Sequence, residues 1–162
     1  MQIRIANRQD EKKIRSLAQE IAEEFEAPFD LESSDGDLKN VEANYFGRDG
    51  LFLVAEEEKE ILAFAGASKD SDQVCILRRV AVAKNFRRSG IGRSLMAIVL
   101  SHAQRMGFDE LELGINPYQT KTPEAKEGVD RFFASLGILP LSPVQNSVEK
   151  TFGGKFIFTV AH

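Results

Sequence analysis

Two arginines, a hydroxyl and two glycines fall within the six residues Arg87–Gly92, which read RRSGIG. An apolar run ends just before this stretch, at Val82. A run at helical spacing follows it: Ile91, Leu95, Ile98, Val99, His102 and Met106. The stretch therefore reads as a strand-to-helix junction. A helix start leaves its first backbone N–H groups without partners, and glycines let phosphate oxygens approach them with no Cβ in the way. The chemistry on offer is the grip of a phosphate-bearing ligand. A Walker loop is excluded, since it needs Gly-Lys followed by Ser or Thr. The dinucleotide fingerprint is excluded too, because Gly90-Ile91-Gly92 lacks the third glycine. What remains is R-x-x-G-x-G, which reads either as a phosphate cradle or as two glycines that merely allow a tight strand-to-helix turn.

Other reactive side chains are few. Glu112 lies on a strand whose other alternation, Leu111, Leu113 and Ile115, is core-like. It reads either as a solvated or ion-paired strand residue or, if both faces are covered, as a buried carboxylate fit to act as a base. Glu42 and Tyr45, on the second helix, are weaker candidates. Tyr118 stands on the polar stretch Pro117–Lys126 and could donate a proton. His102 sits on an apolar stripe and reads as a satisfied core or edge histidine. Cys75, the one cysteine, reads as a small core residue and has no partner for an internal disulfide. No His, Cys and carboxylate spacing suits a metal.

The elements that must position these residues follow from periodicity. Ile3 and Ile5 mark a first strand. Asp10 starts a helix with Ile14, Leu17, Ile21 and Phe25 on one face, ended by Pro28. An acidic loop leads to a second helix over about Asp37–Phe46. Leu51–Glu57 and Ile61–Ser68 form a hairpin about Glu58-Lys59-Glu60. Val74–Val82 is apolar on both alternations except at Arg78 and Arg79, as befits a central strand. The junction and its helix come next, then the strand Glu110–Asn116, a final helix over about Glu127–Leu136, and a closing hairpin of NSVEKTF and KFIFTVA. The order βααβββαβαββ implies an α/β fold, a mixed sheet covered by helices.

Length and composition narrow the class. A chain of 162 residues, 43% apolar and 28% charged, makes one globular domain, residues 1–162. No apolar run could span a bilayer, the amino terminus has no signal-like apolar stretch, and a single cysteine suits a reducing cytoplasm. Charge is segregated. Ser16–Leu38 holds eight acids and no base, and Gln73–Phe108 holds seven bases and no acid. This reads either as helix faces of differing sign or as a protein that takes an anionic ligand on one side and a cationic one on the other. An acidic chain with so local a basic segment is a poor nucleic-acid binder.

Taken together, I-R-x-A near the amino terminus with Asp10 and Ile14 after it, the strand L-R-R-V-A-V, R-R-S-G-I-G and the late F-F-A-S-L-G-I resemble the GNAT N-acetyltransferase superfamily, over essentially the whole chain. The resemblance implies a GNAT-like fold and acetyl-CoA as cosubstrate. By position, Val80, Ala81 and Val82 would line the pantetheine arm. Arg87, Arg88, Ser89, Gly90, Ile91 and Gly92 would hold the pyrophosphate. The acidic segment Glu26–Asp37 would face the acceptor, a primary amine of a cationic small molecule or peptide, and transfer would be direct. The closing hairpin could complete its own sheet or pair with a second subunit in a homodimer.

Three positions depart from the family. Many members carry a tyrosine acid as the second aromatic of an F-Y pair, where this chain has Phe133 after Phe132. Water, Tyr118, or acyl-CoA binding without efficient catalysis are the readings left open there. Some relatives carry a glutamate early in the central strand, where this chain has Ile76. Asn116, a coenzyme contact in the family, is displaced by the Pro117–Lys126 stretch. The competing functions are therefore an acyl-CoA sensor or interaction module and a generic nucleotide binder.

Overall fold

A computed structural model describes residues 1–114, the strand Lys155–Thr159 and, singly, Pro123, Glu127 and Arg131. Nine elements frame it: β1 (Gln2–Ile5), α1 (Glu11–Glu24), α2 (Val41–Asn44), β2 (Leu51–Glu57), β3 (Glu60–Lys69), β4 (Val74–Val82), α3 (Ile91–Arg105), β5 (Glu110–Gly114) and β6 (Lys155–Thr159). The strands form one mixed sheet in the order β1-β2-β3-β4-β5-β6. Among the described residues only the β4–β5 pairing is parallel, across the crossover helix α3. The expected α/β architecture is thus present among the described residues.

Both faces of the sheet are covered. On one, Leu95, Met96 and Val99 of α3 pack on Leu51, Leu53, Leu77, Leu111 and Leu113. Ala63, Ala65 and Ala67 of β3 share that face, and side chains so small bring the helix close to the strands. On the other face, Ile14, Leu17 and Ile21 of α1 and Tyr45 pack on Phe52, Val54 and Phe64. Because β2 and β3 bury residues on both alternations, they read as apolar runs rather than as alternating strands.

Several expectations need correction. The helix α1 stops at Glu24, four residues before Pro28, and opens through a 3-10 turn capped by Asn7. Asn7 accepts from Gln9 N while the Asp10 carboxylate accepts from Asn7 N, so Asp10 serves inside a capping box. The single second helix is broken into 3-10 turns at Gly36–Lys39 and Phe46–Arg48 with a four-residue α2 between them. Asn40, extended at φ −146°, interrupts it and caps α2 by accepting from Ala43 N. The buried stripe of α3 runs to Ala103, and Met106 is exposed. The β2–β3 hairpin turns on Glu58 and Lys59 alone, both at positive φ. Apart from Pro123, Glu127 and Arg131, the final helix, the loop before it and NSVEKTF lie outside the described residues.

Candidate active site

The site is built on a fork in the sheet. The strand β3 pairs with β4 as far as Val82, but β5 pairs only with Val74–Leu77. From Arg78 to Val82 the other edge of β4 has no strand beside it among the described residues. The fork opens at a β-bulge. The register slips between Gly66 and Ala67, so that Gly66 faces Arg79, Ala67 faces Leu77, and Arg78 is the extra residue. Val80, Ala81 and Val82 all lie on the open edge beyond it.

At the end of that edge stands the glycine junction. After a 3-10 turn at Lys84–Phe86, Arg88 adopts φ +62° and Gly90 φ +88°, with Ser89 on the ordinary side between them. Alternating handedness turns successive N–H groups toward one concavity. The first helical bond of α3 runs from Ser94 N to Gly90 O. The amides of Arg88, Ser89, Gly90, Ile91 and Gly92 meet no acceptor among the described residues. That is five donors at the positive end of a 15-residue helix. An anionic group of the pyrophosphate kind fits this cradle.

The arginines of the stretch divide by role. The Arg87 guanidinium is already engaged: Nε donates to Val82 O at 2.9 Å, and both terminal nitrogens bond the Glu24 carboxylate at 2.6 and 2.7 Å. It also lies 5.6 Å from the Phe25 ring centre. In this geometry Arg87 braces the C-terminal end of α1 against the end of β4. Arg88 is exposed beside the amide row.

On the opposite side of β4, the acidic loop is pinned to the bulge. Arg79 donates to both oxygens of Asp37, at 2.9 and 2.5 Å, to Asp35 at 3.0 Å and to Ser34 O at 3.4 Å. The Tyr45 hydroxyl donates to the same Asp37 carboxylate. The Tyr45 ring lies over Gly66, where a Cβ would come within 2.7 Å of it and 2.6 Å of Phe52. Only a glycine leaves room for that ring. Burial pushes the Tyr45 hydroxyl well above its ordinary pKa, and the Asp37 charge adds to this, so Tyr45 stays a donor. Burial alone would raise Asp37, but the Arg79 bonds and charge outweigh it and hold Asp37 below the usual carboxylate range.

Charge segregation is therefore partly self-satisfied. Glu24 pairs with Arg87, Glu32 with Lys39, and Asp35 and Asp37 with Arg79. Asp30 closes its own turn with Ser33 and Glu32 N. Glu20, Glu23 and Glu26 are exposed with no such partner among the described residues. Glu20 and Glu23 wall a pocket of about 410 Å³ between α1 and Ala83–Lys84.

The remaining candidates have definite places. Glu112 is 7% exposed on β5, between Ile76 and Ile157 in register, so it is a buried carboxylate on the same sheet face as Ile76. Arg78 donates to the fully buried Ser68 hydroxyl at 2.6 Å. His102 Nε2 lies 3.1 Å from Asp49 O and serves the helix–loop contact. Cys75 is fully buried, which pushes its thiol up to about 11. Tyr118, Asn116, Phe132 and Phe133 lie outside the described residues. Sequence reasoning assigned Asp35 and Asp37 to steering a ligand and missed their bond to Arg79. The signal was present: a basic residue inside an apolar central strand needs a hydrogen-bond acceptor, and a carboxylate is the strongest.

A sequence model of the acetyltransferase (GNAT) family matches residues 15–125. The chain belongs to that family. Its match includes the fork, the bulge and the glycine junction. Probable N-acetyltransferase camello of Xenopus tropicalis is 29% identical over 107 residues, 64% of this chain and 49% of that protein. The chain thus spans about half the length of that curated relative. Solved structures share the GNAT fold. A GNAT-family acetyltransferase from Staphylococcus aureus Mu50 superposes with a TM-score of 0.82 at 20% identity, over 99% of each chain. The yncA protein of Salmonella typhimurium, solved with its cofactor acetyl-CoA, gives 0.72 at 19% identity over 100% of this chain and 95% of its own.

Proposed function

We propose that this chain is an acetyl-CoA-dependent N-acetyltransferase, one domain over residues 1–162, that passes the acetyl group directly to a primary amine. The observation that carries this is the continuity of the open β4 edge, Arg78–Val82, with the amide row at Arg88–Gly92. A ligand with an amide-bearing arm and a diphosphate spans both, and a bare nucleotide leaves the strand edge unused. Acetyl-CoA supplies the activated thioester. Backbone groups of Val80, Ala81 and Val82 hold the arm in extended form, and the amides of Arg88–Gly92 hold the diphosphate. Charge-assisted bonds of this kind contribute about 1.5–3 kcal/mol each.

The chain's other task is proton handling. An amine of pKa about 10.4 is neutral in roughly 1 in 2,500 molecules at pH 7, a penalty of about 4–5 kcal/mol. Glu112, buried on β5 beside Ile76, takes the amine proton directly or through water. This suits a chain with Ile76 where some relatives have their glutamate. A thiolate of pKa about 8.5 is the easier group to release, at about 2 kcal/mol. Water or Tyr118 then serves in place of the tyrosine that Phe133 replaces. The acceptor is cationic, drawn by Glu20, Glu23 and Glu26, the acids of the tract with no ion-pair partner among the described residues. The compartment that fits this chemistry is the cytoplasm.

The test is thiol release from acetyl-CoA against spermidine, kanamycin, L-lysine and a peptide with a free α-amine. Turnover on at least one, with Glu112→Gln lowering kcat by about 10²-fold and leaving coenzyme A affinity unchanged, supports the assignment. Tight coenzyme A binding with no turnover on any amine would favour the sensor reading.

A further inference from the structure

One residue of β4 faces both halves of the proposed site. Arg79 sits at the bulge, where the open edge begins, so its main chain belongs to the run that holds the arm of the cosubstrate. Its side chain leaves on the other face and carries the acidic loop through Asp35, Asp37 and Ser34 O. The guanidinium is 10% exposed, and the Asp35 and Asp37 side chains are 13% and 21% exposed, so water does little of the holding. Tyr45 closes the set from just past the end of α2, and its ring is seated on Gly66, the residue that pairs with Arg79 across the bulge.

Resting on the function proposed above, we infer that Arg79 is a positioning residue for acetyl transfer: its bonds to Asp35 and Asp37 fix the loop that walls the acceptor to the strand that carries the thioester.

The geometry explains why this is a fork and two carboxylates rather than a packed apolar contact. A guanidinium fixes direction as well as distance, because its donors lie in one plane at set angles. A loop tied to such a fork keeps its height above β4 and its rotation about it. Transfer between two bound molecules is sensitive to both, since misplacement by about 1 Å can lower rates about 10²-fold. Arg15, which donates to Leu38 O at 3.0 Å, and Glu11, which accepts from Val41 N at 3.0 Å, hold the far end of the loop to α1. The end nearer the bulge depends on Arg79.

The test uses the full-length protein. Asp35→Asn is the primary variant, because it removes the charge that Arg79 grips, keeps an oxygen for the bond from Asp30 N, and leaves the two Arg79–Asp37 bonds and Tyr45 in place. Arg79→Lys is the second, keeping the charge and losing the fork. The expected result is a 5- to 20-fold rise in KM for the amine that wild type acetylates best. The coenzyme A dissociation constant should stay within twofold. A residue that merely supports folding would lower the active fraction and the melting temperature and leave KM alone. KM within twofold of wild type in folded Asp35→Asn overturns the inference. Should wild type acetylate no amine of the panel, the proposed function fails by itself, and hydrogen exchange decides the latch. Faster exchange at residues 30–37 in Asp35→Asn, and a slowing of that segment by coenzyme A in wild type only, uphold it. Equal exchange in both proteins, with and without coenzyme A, overturns it.

Discussion

Two residues of the phosphate motif look alike in sequence and differ in the fold. Arg87 is held by Glu24 and Val82 O, whereas Arg88 is exposed at φ +62° beside the amide row. Arg88→Ala is expected to weaken coenzyme A binding several-fold in calorimetry with little change in melting. Glu24→Gln is expected to do the reverse, lowering stability by about 1 kcal/mol. Gly90 adds a backbone argument. At φ +88° a Cβ would meet nothing within 4 Å, so Gly90→Val suffers no clash in the protein itself. Its penalty is the left-handed backbone, about 1–2 kcal/mol, together with a side chain projecting into the proposed diphosphate site. Coenzyme A affinity should fall at least tenfold in a mutant that remains folded. Wild-type affinity in folded Gly90→Val would remove the diphosphate from this junction.

Acid sensitivity is also a property of single residues. Asp10 is held below the usual carboxylate range chiefly by its two 2.8 Å bonds from Arg4, and Asp37 is held low by Arg79. A carboxylate depressed in the folded state adds stability that is fully present above its unfolded value, about 3.9. That stability is lost as pH falls through the folded pKa. Denaturant midpoints should thus be level from pH 7 to about 5 and fall below about 4. Asp10→Asn should be less stable at pH 7 yet lose less between pH 5 and 3. An equal acid loss in both proteins would refute the linkage.

At the scale of elements, the bulge in β4 organises most of what the site needs. Gly66 makes it possible by leaving room for the Tyr45 ring, which sits edge-on to Phe52 at 4.8 Å. Gly66→Ala should destabilise the protein by about 1–3 kcal/mol in chemical denaturation, because the contacts it creates are with packed rings. No change would mean that the rings shift freely. The sequence made β4 legible to the residue, Val74–Val82, and the start of α3 at Ile91, because an apolar run and a helical stripe meet at glycines. The break at Asn40 was not legible, since Leu38, Val41 and Tyr45 keep helical spacing across it. The bulge was not legible either. Nothing in L-R-R-V-A-V says that Arg78 is the extra residue, because register is settled between strands. Two adjacent cations in an apolar strand were its only trace.

For the whole molecule, the fork makes ligand and fold interdependent. A ligand that binds only the folded state stabilises it by about 2.7 kcal/mol at a hundred times its dissociation constant. In a chain of 162 residues, at about 2–4 °C per kcal/mol, this raises the melting temperature by about 5–10 °C. Coenzyme A should produce that shift, and ATP or NAD, which lack the arm for β4, should produce clearly less. A larger shift with ATP would return the chain to the generic nucleotide binders. Pairing of opposite charges across the fold was partly legible too. The acid and base tracts were plain in sequence, but their mutual neutralisation by Arg79 and Arg87 depends on where β4 lies relative to α1 and its loop.

The open edge of β4 has a consequence for how the protein behaves in the tube. Among the described residues no strand pairs with the outer edge of β4 from Arg78 to Val82, and such an edge is a template that a strand of a neighbouring chain can adopt. Concentrated protein without coenzyme A should self-associate through this edge, and coenzyme A should act as a solubiliser by occupying it. Light scattering at rising concentration, with and without coenzyme A, measures the effect.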